Sequence, residues 1–212
     1  MDWIRYCSIV FVMSCGMGGL SSLAHGTEAA ATNTWKIYTN QRFGFSVRYP
    51  PDWRPGNPMP DGTGITFAPP TQDTQVALFG FMNVIEGSSP DGRQTLDEFV
   101  VAHRRIITDL FEKTHIKVSW ETDRPTKLGG IDAKQLTFVY RNHTNVEMRE
   151  IHIMSVGRNE GRGVRVKTTA SDTGTIIPLV TKLLETYQAG RDQNAVSPFA
   201  PSRGDQPPSS VR

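Results

Sequence analysis

The sequence predicts an α+β fold, in which an antiparallel β-sheet carries helices on its faces as an α/β/α sandwich. The first observation is the order of elements, which runs from strands to a helix, then a four-strand meander and a second helix. The second observation is that short turn signals such as Gly129-Gly130 separate the strands of the meander. Strands joined by such tight turns pair antiparallel, which gives the predicted sheet.

The first strands are predicted from strict alternation of apolar and polar residues. Phe43, Phe45, Val47 and Tyr49 alternate with smaller or polar residues, which is typical of a strand with one buried face. A short strand over 35–38 precedes this one and another over 65–68 follows it. The segment 75–86 is apolar on both faces, so we expect it to be a central strand that is covered on each side.

The helices are predicted by their caps and by apolar residues at helical spacing. Thr95 and Glu98 form a capping-box pattern, which places the start of the first helix at this point. After the meander over 116–170, a second helix is expected to begin at Thr173 or Thr175. Pro178 would then lie in its first turn, where its missing N–H is harmless.

The segment 38–53 carries a resemblance to a known family. It has the pattern Tyr-x-Asn-x-x-Phe-Gly-Phe-x-Val-x-Tyr-Pro-x-x-Trp. This string resembles the opening hairpin of the PsbP-like family, and the order of elements extends the resemblance over 35–189. The resemblance implies a non-enzymatic domain that binds an envelope protein or assists the assembly of a complex, because family members include an extrinsic photosystem subunit, lipoproteins and adaptors.

The N-terminal segment 1–26 is interpreted as an export signal, with a linker over 27–34 before the domain. Arg5 precedes a short apolar run that is not long enough to span a bilayer as a helix. Cleavage after Ala24 or Gly26 and a lipoprotein signal that ends at Cys15 are both compatible with the sequence. We therefore expect a periplasmic or secreted protein, whose contact with the membrane would be a lipid anchor on Cys15.

The two cysteines and the net charge exclude several classes of function. Cys7 and Cys15 both lie in the predicted signal, so the domain over 35–189 has neither a disulfide nor a thiol nucleophile. The net charge is +2, which does not favour nucleic acid as a partner. The segment 190–212 is rich in proline and serine and poor in apolar residues, and we predict a disordered tail there.

The sequence contains no pattern typical of an enzyme. It has neither a Gly-x-Ser-x-Gly nucleophile elbow nor a phosphate-binding P-loop. His143, Glu150 and His152 are the candidates for a metal site, since Glu150 and His152 share one strand face and His143 lies in the preceding turn. We favour structural roles for them, with His152 half-buried and Glu150 facing solvent or a cation, and we expect neither a metal nor another cofactor.

The remaining hypothesis is recognition at the surface by a monomer. The loop over 56–64 is rich in proline and glycine, and Trp53 and Met59 are the candidates for a binding lip. For Trp53 we favour the alternative that it fills the core. The second functional hypothesis is a carrier of a small hydrophobic ligand or metal ion, which would require a closed apolar pocket between the sheet and a helix.

Overall fold

The computed structural model describes residues 34–70, 73–83, 94–157 and 159–190, without the side chain of Thr122. The predicted signal with Cys15, the linker before Thr34 and the tail beyond Gly190 lie outside the described residues. No helix among the residues described is long and apolar enough to cross a membrane. The elements are β1 (Lys36–Asn40), β2 (Phe45–Tyr49), β3 (Arg54–Pro55), β4 (Gly64–Ala68), β5 (Gln75–Met82), α1 (Leu96–Glu112), β6 (Ser119–Leu128), β7 (Ile131–Arg141), β8 (Glu147–Val156), β9 (Glu160–Thr169), α2 (Thr173–Glu185) and β10 (Gln188–Ala189).

The strands form two antiparallel sheets. The larger sheet has the order β3-β4-β5-β9-β8-β7-β6, and the smaller one has the order β1-β2-β10. The predicted α+β fold with an antiparallel sheet is confirmed, and β5 lies inside the larger sheet between β4 and β9. It ends at Met82, four residues before the predicted end of this strand.

The two faces of the larger sheet are covered by different elements. On one face, Val100 of α1 packs with Leu136 and Met154, and a neighbouring cluster surrounds Phe138. On the other face, α2 and the small sheet enclose the largest apolar cluster, in which Ile176 and other side chains are fully buried. Each face therefore gains its stability mainly from apolar burial, at about 25 cal/mol per Å².

The ends of the helices follow from local chemistry, with one difference from the prediction. The Thr95 hydroxyl accepts a hydrogen bond from the Glu98 N–H, and the Glu98 carboxylate accepts one from the Thr95 N–H, which confirms the capping box. The second helix begins at Thr173, so Pro178 lies in its second turn and not in its first. Burial of Ile176, Val180 and Leu183 holds this helix across the proline, although Pro178 lacks the N–H of a regular helical residue.

Two glycines provide a matched test of the packing on the face covered by α2. A Cβ at Gly80 would collide with the ring of Phe43, which is 2% exposed. We expect Gly80→Ala to lower the free energy of unfolding by about 1–3 kcal/mol, as overpacking does. A Cβ at Gly174 of α2 meets nothing within 4 Å in the described part of the chain, so Gly174→Ala should stabilise by about 0.5–1 kcal/mol. Urea unfolding at neutral pH measures both values, and equal values would contradict the packing around Phe43.

Candidate functional site

A chain of polar side chains crosses the interface between α1 and the larger sheet. His103 comes from α1, Tyr140 from β7, Glu150 and His152 from β8, and Arg165 from β9. The alternation of a strand places Glu150 and His152 on the same face, and the register sets His152 opposite Arg165. Tyr140 belongs to one of the two apolar clusters beneath α1, and His103 lies on α1 between residues of both.

The polar side chains are joined in a continuous series of hydrogen bonds. The Tyr140 hydroxyl donates to Oε1 of Glu150 over 3.0 Å, and Nε2 of His152 lies 3.0 Å from Oε2. The other ring nitrogen of His152, Nδ1, lies 2.9 Å from Nε2 of His103. Arg165 Nε adds a positive charge 3.8 Å from Oε2 of Glu150. Glu150 and His152 are 6% and 2% exposed, so the centre of the series is buried, whereas His103 and Arg165 are half-buried.

Burial and the neighbouring charges shift the pKa of each group. Burial, together with the adjacent His152 and Arg165, lowers the pKa of His103 to about 3, and the negative charge of Glu150 offsets only a small part of this shift. Burial also lowers the pKa of His152, against the effect of Glu150. Burial raises the pKa of Glu150, but hydrogen bonds from His152 and Tyr140 and the charge of Arg165 outweigh it and lower this pKa to about 2. At neutral pH the site therefore holds a carboxylate and two neutral imidazoles.

These protonation states fix the positions of the protons. A carboxylate only accepts, so His152 must donate to Glu150 from Nε2–H. Its Nδ1 then accepts from the Nε2–H of His103. His103 and His152 have four ring nitrogens in total, and three of them donate or accept hydrogen bonds within the protein. The arrangement stabilises the contact between α1 and the sheet.

The structure separates the three residues that were considered for a metal. Glu150 and His152 lie together, but His143 is exposed in the turn between β7 and β8. Among the residues described, no three His, Cys, Asp or Glu side chains converge to hold a metal ion. The expectation of a half-buried His152 is wrong, since this side chain is 2% exposed. Of the two alternatives for Glu150, the cationic neighbour is present as Arg165, and Glu150 also accepts hydrogen bonds from Tyr140 and His152. The sequence did not identify His103 as the hydrogen-bond partner of His152. The available signal was the position of a histidine on the apolar stripe of α1, which indicates that it faces the sheet.

The two candidates for a binding lip lie in different environments. Trp53 is 1% exposed and packs near Phe67, so it belongs to the core and does not form a surface lip. Met59 is half-buried, and its backbone exchanges hydrogen bonds with Gly62 and Gly64, which ties down the turn. Met59 alone therefore stays a candidate contact on this loop.

An open cleft of about 230 Å³ lies on the opposite face of the sheet, between β6–β8 and α2. Its walls combine aliphatic side chains from β8 and α2 with charged side chains from β6 and β8. The lining residues are Glu121, Arg124, Gln135, Thr137, Arg149, Ile151, Ile153, Thr173, Ile177, Val180, Thr181 and Leu184. No sequence motif marked this cleft, because its residues come from four separate elements.

A β-bulge shapes the charged side of the cleft. The pairing of β6 with β7 shifts between Trp120 and Asp123, so one extra residue is inserted there. Because of that shift Glu121 and Arg124, three residues apart, both line the cleft, although regular alternation would place them on opposite faces.

Hydrogen bonds hold the charged side chains of the cleft in place. Arg149 Nη2 donates to Glu121 Oε1 over 2.6 Å, and Arg124 Nη2 donates to Gln135 Oε1 over 2.9 Å. Arg149 Nε is shielded from solvent and has no hydrogen-bond partner in the described part of the chain. The cleft thus places the guanidinium groups of Arg124 and Arg149 beside an aliphatic wall.

Comparison with known proteins finds similarity in structure. No protein-family model matches the chain, and no curated protein matches it in sequence. A crystal structure from Bacteroides thetaiotaomicron VPI-5482 is 11% identical with a TM-score of 0.50, over 74% of this chain and 49% of that chain. LpqN of Mycobacterium tuberculosis, described as involved in cell envelope biogenesis, is 12% identical with a TM-score of 0.45, over 76% of this chain and 87% of that chain.

The solution structure of cyanobacterial PsbP (CyanoP) from Synechocystis sp. PCC 6803 is also similar. It is 11% identical with a TM-score of 0.56, and the match covers 78% of this chain and 98% of that chain. The match thus extends over nearly the whole of that protein, and the chain described here has the PsbP-like fold.

Proposed function

We propose that this protein is an extracytoplasmic, non-enzymatic binding protein whose partner is another protein of the cell envelope. The signal-like segment 1–26 supports a location outside the cytoplasm. The PsbP-like fold supports a role in recognition, since the resemblance implies adaptors and extrinsic subunits.

The observation that carries the proposal is the cleft between β6–β8 and α2. Its volume of about 230 Å³ is below the roughly 300–1,000 Å³ typical of sites that enclose a small molecule. It is open to solvent, and it combines aliphatic and charged side chains. Such a surface suits a few side chains of a larger partner better than an enclosed lipid.

The buried polar network supports a non-enzymatic role. Tyr140, Glu150, His152 and His103 bond to each other. Glu150 and His152 are nearly inaccessible to solvent. A general base must reach the proton of a substrate, whereas these groups are engaged beneath α1.

The proposal is tested by photo-crosslinking in the host that produces the protein. A photoreactive amino acid replaces Thr181, which lines the cleft, or Thr175, which is exposed on α2 outside it. We expect the Thr181 position to capture one envelope protein that the Thr175 position does not. The captured protein, once purified, should bind the full chain saturably at a 1:1 ratio. Equal capture at both positions, or binding that does not saturate, would count against the proposal.

A further inference from the structure

We infer that the cleft recognises an acidic peptide segment, in which a carboxylate binds Arg149 and Arg124 and a neighbouring aliphatic side chain packs on α2 and β8. This inference rests on the proposed function, because the segment would belong to the envelope partner. It names the chemistry of that partner.

The charges of the cleft favour an anionic group. Arg124 and Arg149 bring two positive charges, and Glu121 offsets one of them. Arg124 is exposed, and a carboxylate is the group that matches the planar donor geometry of guanidinium.

The opposite wall of the cleft favours an aliphatic side chain next to the carboxylate. Ile151 and Ile153 of β8 lie on its floor, and Ile177 and Leu184 of α2 form its side. A purely polar anion such as inorganic phosphate would make no apolar contact with these aliphatic side chains. A peptide in which Glu or Asp stands beside Leu or Ile uses both walls.

The edge of the sheet favours recognition through side chains rather than by addition of a strand. β6 is the last strand of the larger sheet and borders the cleft. Pro125 lies within β6 and lacks the N–H that an added strand would need, and Asp123 and Lys127 place charges along this edge. These are features with which proteins protect an edge from pairing. The partner segment is therefore expected to enter the cleft without extending the sheet.

The test compares three probes by NMR titration of the full chain. The first is N-acetyl-Leu-Glu-Leu-amide, and the second is N-acetyl-Leu-Gln-Leu-amide, which has the same shape without the charge. The third is decanoate, which carries a carboxylate on a long acyl chain. We expect the Glu peptide to bind about tenfold more tightly than the Gln peptide, since a hydrogen bond to a charged group contributes that much. The methyl signals of Ile153 and Leu184 should shift with it.

Two variants with matched controls locate the binding. Arg149→Gln should weaken binding of the Glu peptide about tenfold, and Thr181→Trp should block it by filling the cleft. Arg141→Gln removes an arginine from another exposed ion pair of the β7–β8 hairpin, and Thr175→Trp adds the same bulk elsewhere on α2. Both controls should keep the affinity of the unmodified protein. Thermal unfolding of each variant verifies that it is folded before its affinity is compared.

The outcomes separate the inference from the proposed function. Equal affinity for the Glu and Gln peptides, or binding of decanoate in preference to both, would overturn the inference. Capture of an envelope protein whose affinity is unchanged by Arg149→Gln would also overturn it, while the proposed function would stand. If the Glu peptide binds as expected and crosslinking captures no envelope protein at Thr181, the proposed function fails and the chemistry of the cleft stands.

Discussion

Glu150→Ala is expected to lower the free energy of unfolding by about 2–5 kcal/mol, because each buried donor that is left without an acceptor costs about 1–3 kcal/mol. The substitution deprives the Tyr140 hydroxyl and the His152 Nε2–H of their acceptor. It also leaves Arg165 without the carboxylate that lies 3.8 Å from its Nε. Urea unfolding followed by far-UV circular dichroism at pH 7.5 measures the loss.

Glu147 of the same strand provides the matched control. It pairs with Arg141 over 3.3 Å, but both side chains are about half exposed, at 48% and 60%. Pairs of this kind contribute about 0–1 kcal/mol, so Glu147→Ala should be nearly neutral. If Glu150→Ala fails to fold, Glu150→Gln keeps the shape of the side chain and allows the measurement. Equal losses for the alanine variants, or a Glu150→Gln variant as stable as the unmodified protein, would refute a stabilising role for the carboxylate.

The location of this network suggests what it adds beyond apolar packing. His103 stands between Val100 and Ile107 on α1, and these two residues belong to the two different apolar clusters on that face. Apolar contacts alone tolerate a shift of a helix along a sheet, because many side chains can exchange places. The bond from His103 to His152 is made at only one position of α1. The network therefore fixes where α1 lies on β7 and β8.

Much of the fold could be predicted because its signals are local. The turn at Gly129-Gly130 has φ values of 59° and 83°, as glycine allows without strain. The Thr95 cap and the alternation of Phe43 to Tyr49 are likewise readable within a few residues. The order of these elements then left few ways to arrange an antiparallel sheet with two helices.

The candidate sites could not be predicted in the same way, because they depend on contacts between distant residues. His103 and His152 are 49 positions apart, and their contact requires α1 to cross β8 at one particular point. Glu150 was expected to face solvent or a cation, since a carboxylate is rarely buried without partners. Its partner Tyr140 lies on another strand. The bulge that turns Arg124 into the cleft has no signal in the sequence, since no glycine marks it.

Acidification is expected to destabilise the protein from about pH 6.5 downwards, because the fold holds the buried His152 and the half-buried His103 in their neutral forms. The pKa of His103 is about 3 in the folded protein, against 6.5 as the reference for an exposed histidine, and the pKa of His152 is also lowered. Between these values the unfolded chain binds more protons than the folded chain. The free energy of unfolding therefore falls as pH falls, by up to about 1.4 kcal/mol per pH unit for each histidine.

Urea unfolding at pH 7.5, 6.5, 5.5 and 4.5 and constant ionic strength measures this slope. From pH 6.5 to 4.5, His103 alone should account for about 2–3 kcal/mol. His103→Gln retains an N–H donor for His152 Nδ1 but does not titrate, so its stability should fall less steeply with pH. His143→Gln removes an exposed histidine of the β7–β8 turn and should follow the unmodified protein. If the free energy of unfolding falls equally steeply with pH in His103→Gln and in the unmodified protein, protonation of His103 does not destabilise the folded protein, and the prediction is wrong.

Glu150 extends the same dependence to lower pH. Its pKa is lowered from 4.5 to about 2 in the folded protein, so its contribution to stability is present above pH 4.5 and is lost as pH falls towards 2. Protonation of Glu150 removes the acceptor of His152, and protonation of the imidazoles places positive charges next to Arg165. The histidines act first, between pH 6.5 and 4.5, and the carboxylate acts second. In Glu150→Gln the decline below pH 4.5 should become shallower, because the group that takes up this proton is gone.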